Sequence, residues 1–446
     1  MKPGTWSGSP ECGKRPTRTN DSLTPSSSTL QPAGNADTVR DRLRARYPAL
    51  THPAFRRYFL GQSIALIGSF AHGVGVGWLA YRLTGSIALL GVLGFVQMAP
   101  ALFVSPIAGL VADRYPRRLL LLGMLATVAL LGLIMAGLTA FDLMTPVLLI
   151  ALSAIRGLLF SCEVPIRHAF IGDMIRDRAL LPNAVALHSA ALNGARFVGP
   201  AVGGLLVGAF GEAACLALHP VTLCATLWQL HRIRTPDAVI LPKSQASFAR
   251  QFLEGWQHAF SNRVIHLMLI GVFLMGFGVG PYSALMPAAV AELHGEHPEL
   301  VGLFLSCAGG GAMTAALLLA SGQGVQHLQR TALLGNVSAG LGLAIFTFSP
   351  WMPTAVLGMV MVGFGTIAQA ISTNMTIQTT LHETFRARVL AIYTGLFIGA
   401  MPLGSLVFGQ LGQWMGAAHA LQLGAGLALA GALWTLLRMR SSAPSR

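Results

Sequence analysis

Charge is what this sequence has least of. Asp, Glu, Lys and Arg make up 10% of its 446 residues, whereas hydrophobic types make up 53%. A water-soluble globular chain carries about 25% charged residues, so a soluble surface of this size is excluded. Acids are scarcer than bases, 16 against 30, which leaves a formal net charge of +14. Five cysteines, Cys12, Cys162, Cys215, Cys224 and Cys307, are scattered without a CxxC or a histidine at zinc spacing. Neither a metal site nor a disulfide framework is implied. No GxxxxGK[ST] loop is present, which excludes ATP as an energy source. No paired acid and base or metal cluster suggests an enzyme, and no cofactor is expected. No apolar stretch follows Lys2, so the N-terminus does not read as a secretory signal.

What the chain has instead is apolar runs of about 20 residues, the length that crosses a bilayer. Twelve are expected, near 58–83, 88–112, 118–140, 144–165, 183–210, 213–232, 264–290, 299–322, 328–349, 351–374, 389–413 and 417–438. Residues 1–50, rich in Ser, Thr, Pro and charge, cannot bury enough surface to fold and read as a disordered tail. Residues 439–446 form a second tail. The stretch 233–263 holds Pro236, Pro242 and an amphipathic piece from Phe248 to Phe260. It divides the spans into bundles at 51–232 and 264–438.

Alternate turns sort by charge. One set holds Arg114/Arg117/Arg118, Arg167/Arg176/Arg178, Arg232/Arg234/Lys243/Arg250/Arg263, Arg330, Arg386/Arg388 and Arg438/Arg440. The other holds Asp142, Glu212 and Glu292/Glu296/Glu299, with Arg82 the clear exception. Basic turns stay inside, so both termini are expected in the cytoplasm. The basic residues are confined to turns, which leaves no face for nucleic acid.

The two bundles repeat weakly. Arg118 with Gly123 aligns on Arg330 with Gly335, and Pro200 on Pro402, but Val325 stands where Asp113 would repeat. Paired halves of this kind hold a substrate between them and alternate its access by rocking.

Several residues could carry that movement. Gly109 permits close helix approach. Asp113 either latches two ends, by accepting bonds from a facing helix start or by pairing with an arginine, or neutralises Arg114, Arg117 or Arg118 on a solvated turn. In Asn193–Gly204, Gly199, Pro200, Gly203 and Gly204 let a helix bend and pack tightly. Arg156 and Arg196 lie inside spans, where charge is costly. Each either binds an anionic cargo, steadies a carboxylate, or bonds backbone carbonyls. No acid occupies the middle of a span. Glu163 stands one turn before Arg167, so an ion pair is expected, and Glu163 or Asp113 titrating from the cytoplasmic side is the alternative coupling site. His72 lies mid-span and His188 nearer an end, and imidazole changes charge near neutral pH. Gln62, Gln97, Asn193, Tyr282, Gln369 and Asn374 are polar or aromatic candidates for a cavity. Trp78 and Tyr81 read as an interfacial belt.

Gly109-Leu110-Val111-Ala112-Asp113-Arg114-Tyr115-Pro116-Arg117-Arg118 resembles the loop between helices 2 and 3 of the major facilitator superfamily, with Pro116 where that pattern usually has Gly. The GPxxGG of Gly199–Gly204 resembles the helix 5 signature of members that export by antiport. Tyr81–Ser86, Leu181–Leu187, Val301–Ala312 and Arg386–Val389 resemble the exporters of enterobactin and macrolides over residues 53–440. The resemblance implies an all-α membrane protein of the major facilitator fold, with twelve transmembrane helices in two pseudo-symmetric six-helix bundles. It implies a proton-driven exporter of a small amphiphilic molecule in the bacterial inner membrane, with a siderophore favoured. Multidrug or macrolide efflux is the alternative, and a lipid-handling or uptake transporter a further one. Membrane lipid, a small-molecule substrate and protons are the expected partners, and a monomer the expected state.

Overall fold

The structure, a computed structural model, describes residues 47–112, 114–175, 177–233, 262–320 and 327–440. Thirteen α-helices occupy them: α1 (Pro53–Thr84), α2 (Ile87–Met98), α3 (Pro100–Ala112), α4 (Arg117–Ala140), α5 (Pro146–Met174), α6 (Leu181–Arg232), α7 (Arg263–Gly278), α8 (Tyr282–His294), α9 (Pro298–Ala320), α10 (Leu328–Phe348), α11 (Met352–Thr380), α12 (Glu383–Met415) and α13 (Ala417–Arg440). No strand occurs among the described residues.

Thirteen helices make twelve crossings because the chain breaks where its sequence removes a hydrogen bond and bends where glycine permits. Pro100 has no N–H to give, so the expected span 88–112 splits at Ala99 into α2 and α3. Gly280 and Pro281 likewise divide the span 264–290 into α7 and α8. The opposite happens in α6. Its 52 residues run without a loop through Gly211, whose φ of 79° and ψ of 173° turn the chain back. Only glycine adopts such a backbone cheaply. At 1.5 Å per residue α6 is far too long for one bilayer crossing. Eleven stretches are long and apolar enough to cross a membrane when α6 is counted once. Dividing it at Gly211 makes them twelve.

Alternation then gives the bundle two ends. The base carries Pro53, the Arg114–Arg118 turn, residues 381–382 and Arg440; the crown carries six connections of at most five residues. Those crown connections are Gly85–Ser86, residues 141–145, the single Gly211, residues 295–297, residues 349–351 and Gly416. Gly85 closes α1 in the left-handed region, φ 59°, and Ser86 then accepts a bond from the Leu89 N–H at 3.2 Å to start α2. This is the local meaning of the Tyr81–Ser86 motif. Arg82 is not a stray positive charge: its Nε donates to Glu212 Oε1 at 2.6 Å.

Residues 47–50, expected to belong to a disordered tail, are ordered. Pro48–Thr51 form a turn of 3₁₀ helix, Ala49 is buried, and its N–H donates to Asn183 Oδ1 at 3.1 Å. Asn183 belongs to the Leu181–Leu187 motif, which therefore anchors the chain before α1. Residues 1–46 and most of the 233–263 connection, with its amphipathic piece, lie outside the described residues, as do Arg176 and Val325.

α1–α6 form one half and α7–α13 the other. Within them α1 packs on α6, α3 on α5, α10 on α11 and α7 on α12 and α13. Between them α6 meets α9, and α2 meets α12. The apolar core reports how the halves meet. At the crown a single cluster runs through both, from Leu79 and Leu90 to Phe304, Phe408 and Leu421. At the base, among the described residues, it divides in two, one cluster around Phe55, Leu121 and Phe170, the other around Ile265, Ile377 and Val389.

Candidate functional site

The glycine-rich stretch of α6 sorts its residues by face. Gly199 and Gly203 stand one turn apart and turn toward α1. A Cβ on Gly199 would lie 2.8 Å from the Ile67 carbonyl oxygen, and one on Gly203 2.7 Å from that of Ala71. Gly204 faces the other half, where its Cβ would lie 2.9 Å from Gly302 Cα. Pro200 cannot donate to the Arg196 carbonyl one turn back. Gly309 of α9 sits against that carbonyl, 2.4 Å from its own would-be Cβ. The motif thus fastens α6 to α1 on one side and α9 on the other. On the opposite seam, a Cβ on Gly91 would lie 2.3 Å from the Ser405 carbonyl oxygen and 2.9 Å from Gly409 Cα. Close approaches between the halves run from the crown to mid-depth, where Leu102 meets Gly399.

A cavity of about 200 Å³ lies between the halves. Phe70, Gly73 and Gly77 of α1, Gln97 of α2, Ser283 of α8 and Ser405 of α12 contribute to its wall. The lining is apolar with a few polar groups, the usual composition of a small-molecule site. Gln97, singled out in the sequence, is one of the polar groups in this wall. Arg196 is half-buried, with its guanidinium 5.9 Å from the ring centroid of Phe70, a cavity wall. Asn193 and Asn374 are not in that wall; each bonds along its own helix, Asn193 Nδ2 donating to Ser189 O at 2.9 Å and Asn374 Oδ1 accepting from Gln378 Nε2. Tyr282 opens α8 and packs against the crown core.

Two cavity expectations are corrected. Gln62 is buried inside the N-terminal half, and Gln369 inside the C-terminal half beside Gly335, each 4% exposed or less. Both were candidates as polar residues within apolar spans, but bundle interior and central cavity are neighbouring faces of one helix. Trp78 is not interfacial either: it is 6% exposed, in the crown core, with Tyr81 packed against that core.

A second, smaller cavity of about 30 Å³ lies within the N-terminal half, walled by α1, α4, α5 and α6. Arg156, Glu163, Arg167, His219, Gln62 and Ser69 supply its polar lining. Glu163 pairs with Arg167 one turn on, as expected, and both are buried. Arg156 Nη2 donates to Ser69 Oγ at 3.2 Å. His72 is fully buried, its ring centroid 5.7 Å from that of His219. His188 stands nearer the base, edge-on to His168 at 5.7 Å. The sequence reading missed His219 and Ser69, since a lone polar residue in an apolar run gives no sign of which neighbour it meets.

At the base turn Asp113 lies outside the described residues, and of Gly109 only the backbone, within α3, is described. Arg114 is exposed. Arg117 donates to Asp173 Oδ1 at 2.6 Å and, through Nε, to Ala112 O at 3.2 Å. Arg118 Nε donates to Leu230 O at 2.9 Å and Nη2 to His231 O. It thereby satisfies carbonyls that the end of α6 leaves without partners. The turn knits α3, α4, α5 and α6 together. Asp173 was not singled out by the sequence.

Paired helical halves around a central cavity define a transporter of the major facilitator type. Residues 45–444 match the family model described as transmembrane secretion effector, and the chain belongs to that family. It is 27% identical over 400 residues to the enterobactin exporter EntS of Citrobacter koseri, covering 87% of this chain and 92% of that protein. The staphyloferrin A transporter of Staphylococcus aureus is 24% identical, covering 79% and 88%. The multidrug efflux pump Tap of Mycobacterium tuberculosis is 27% identical, covering 80% and 87%. Among solved structures, a bacterial homologue of the human lysosomal transporter Spinster superposes with a TM-score of 0.69 at 12% identity, covering 88% of this chain and 97% of that one. The nucleoside transporter NupG gives 0.65 at 14% identity, covering 86% and 98%.

Proposed function

We propose that the protein exports a small amphiphilic molecule, a siderophore in the first instance, from the cytoplasm by proton antiport with alternating access. The base would face the cytoplasm, since the Lys and Arg of the turns gather there. The observation that carries alternating access is the core, continuous at the crown and divided at the base. A bundle joined on one side and separable on the other is one of the two states that such a cycle requires. At about 200 Å³ the central cavity is smaller than the roughly 300–1,000 Å³ of sites that enclose drug-sized ligands, so cargo enters as the halves part.

Within this reading Gly199 and Gly203 hold α1 to α6, Gly204 seals the crown against Gly302, and Pro200 lets the helix bend. Arg117 and Arg118 fasten the base of the N-terminal half, with Gly109, Asp113 and Arg114 in the same turn. Gln97 and Arg196 meet cargo. Coupling belongs to the N-terminal half, because the buried histidines and acids among the described residues, His72, Glu163, His188, Glu212 and His219, are all there. At equivalent places in their helices, counted from Pro146 and Met352, Glu163 and Arg167 are replaced by the neutral Gln369 and Thr373.

Two siderophore-named relatives, one matched over 87% of this chain, favour that cargo; the pump Tap supports multidrug efflux as the second reading. A strain lacking the gene should secrete less siderophore under iron limitation. Unchanged secretion with greater drug sensitivity would favour the second reading and sink the first. In inverted vesicles, collapsing the proton gradient should stop transport; transport that persists would rule out antiport.

A further inference from the structure

The small cavity inside the N-terminal half has an unbalanced charge. Two guanidiniums, Arg156 and Arg167, meet one carboxylate, Glu163, at its wall. The remaining acids described on α1–α6 outside the turns are engaged elsewhere, Asp173 with Arg117 and Glu212 with Arg82. α1 and α4 contain no acid. The elements packed around the cavity add Gln62, Ser69 and His72 from α1, His219 from α6, and only apolar Leu125 and Val128 from α4. One positive charge is therefore left over in a low-dielectric interior, where an uncompensated charge is strongly disfavoured.

The hydrogen-bonding inventory has the same sign. Arg156 Nε, Arg167 Nε and His219 Nδ1 are buried and have no partner among the described residues. A guanidinium Nε–H can only donate. Gln62 Oε1 is also buried without a partner. Arg167, His219 and Gln62 are each more than nine-tenths buried. Cationic and donor side chains in the wall, a leftover positive charge and about 30 Å³ of room fit one water-sized particle that accepts hydrogen bonds and carries negative charge.

We propose that this cavity is a binding site for a small inorganic monoanion of the size of chloride, held by Arg156, Arg167 and His219. The site is separate from the central cavity, yet both are read by α1. Ser69, which holds Arg156, is the immediate neighbour of Phe70, which walls the central cavity. Occupancy of the small site therefore bears on the helix that lines the transport path.

The test uses the purified full chain in detergent, with its thermal midpoint followed by tryptophan fluorescence. Sodium chloride is titrated against sodium gluconate at constant ionic strength. Chloride should raise the midpoint saturably, by roughly 3 °C at a hundredfold excess over Kd, and bromide should replace it. Arg156→Gln removes the leftover charge and should abolish the response. Glu163→Gln doubles that charge and should tighten chloride binding, an increase that a merely structural role does not predict. Equal midpoints of the native chain in chloride and gluconate would overturn the site. So would an equal effect of sulfate, which is larger and doubly charged, or a full chloride response in Arg156→Gln. Should Arg156→Gln fail to fold, direct binding of radiolabelled chloride to the native chain and to Glu163→Gln decides: no saturable binding, or no tightening, rejects the proposal.

Discussion

The Arg117–Asp173 pair shows what single residues hold. Its side chains are 13% and 22% exposed, so water screens it in part and its contribution is about 1 kcal/mol. Asp173→Asn should lower the thermal midpoint slightly, and exchanging the two residues should restore most of the loss. A double-mutant cycle measures this, and additive single effects would dissolve the pair. Residues at this scale were only half legible. The Glu163–Arg167 pair follows from helical spacing, because residues one turn apart are neighbours on one face. Arg117 instead finds an acid 56 residues away, and nothing local in a sequence marks so distant a partner.

Among the elements, α6 is the one around which the N-terminal half is assembled. Its two glycine faces do different work, and substitution should separate them. Gly203→Leu drives a side chain into the Ala71 backbone, which cannot give way, and overpacking of this kind costs about 1–3 kcal/mol. Stability should fall with transport. Gly204→Ala adds one methyl where the halves meet, so transport should fall about tenfold while the midpoint changes little. Size-exclusion profiles and thermal midpoints, set beside transport rates, distinguish the two. A Gly204→Ala chain with native transport would show that the crown tolerates a wider seam. The motif was plain in the sequence because its glycines and proline are rare together. Which neighbour each face meets was not, since that depends on how six helices are arranged.

For the whole molecule, the twelve crossings were legible because apolar runs of bilayer length have no other solution. The breaks at Ala99 and Gly280 were blurred, since proline in a membrane helix can kink it or end it. The uneven meeting of the halves was invisible: a sequence has one hydrophobic pattern for every state of a cycle. That unevenness is testable. Ser86 Oγ and Gln413 Oε1 lie 3.0 Å apart across the crown, between α1–α2 and α12. In a chain otherwise lacking cysteine, Ser86→Cys with Gln413→Cys, joined by a short reducible bifunctional linker, should lose transport and regain it on reduction. Undiminished transport in the linked chain would mean that the crown never opens.

The brevity of the crown connections has a consequence of another kind. From Gly85–Ser86 round to the single Gly416, none exceeds the five residues of 141–145. Almost no polypeptide stands proud of the helices on that side. A protease has no strand to cut there, an antibody has little to grasp, and an accessory protein has no arm to hold. On the proposed reading, cargo released at the crown would leave past short turns alone.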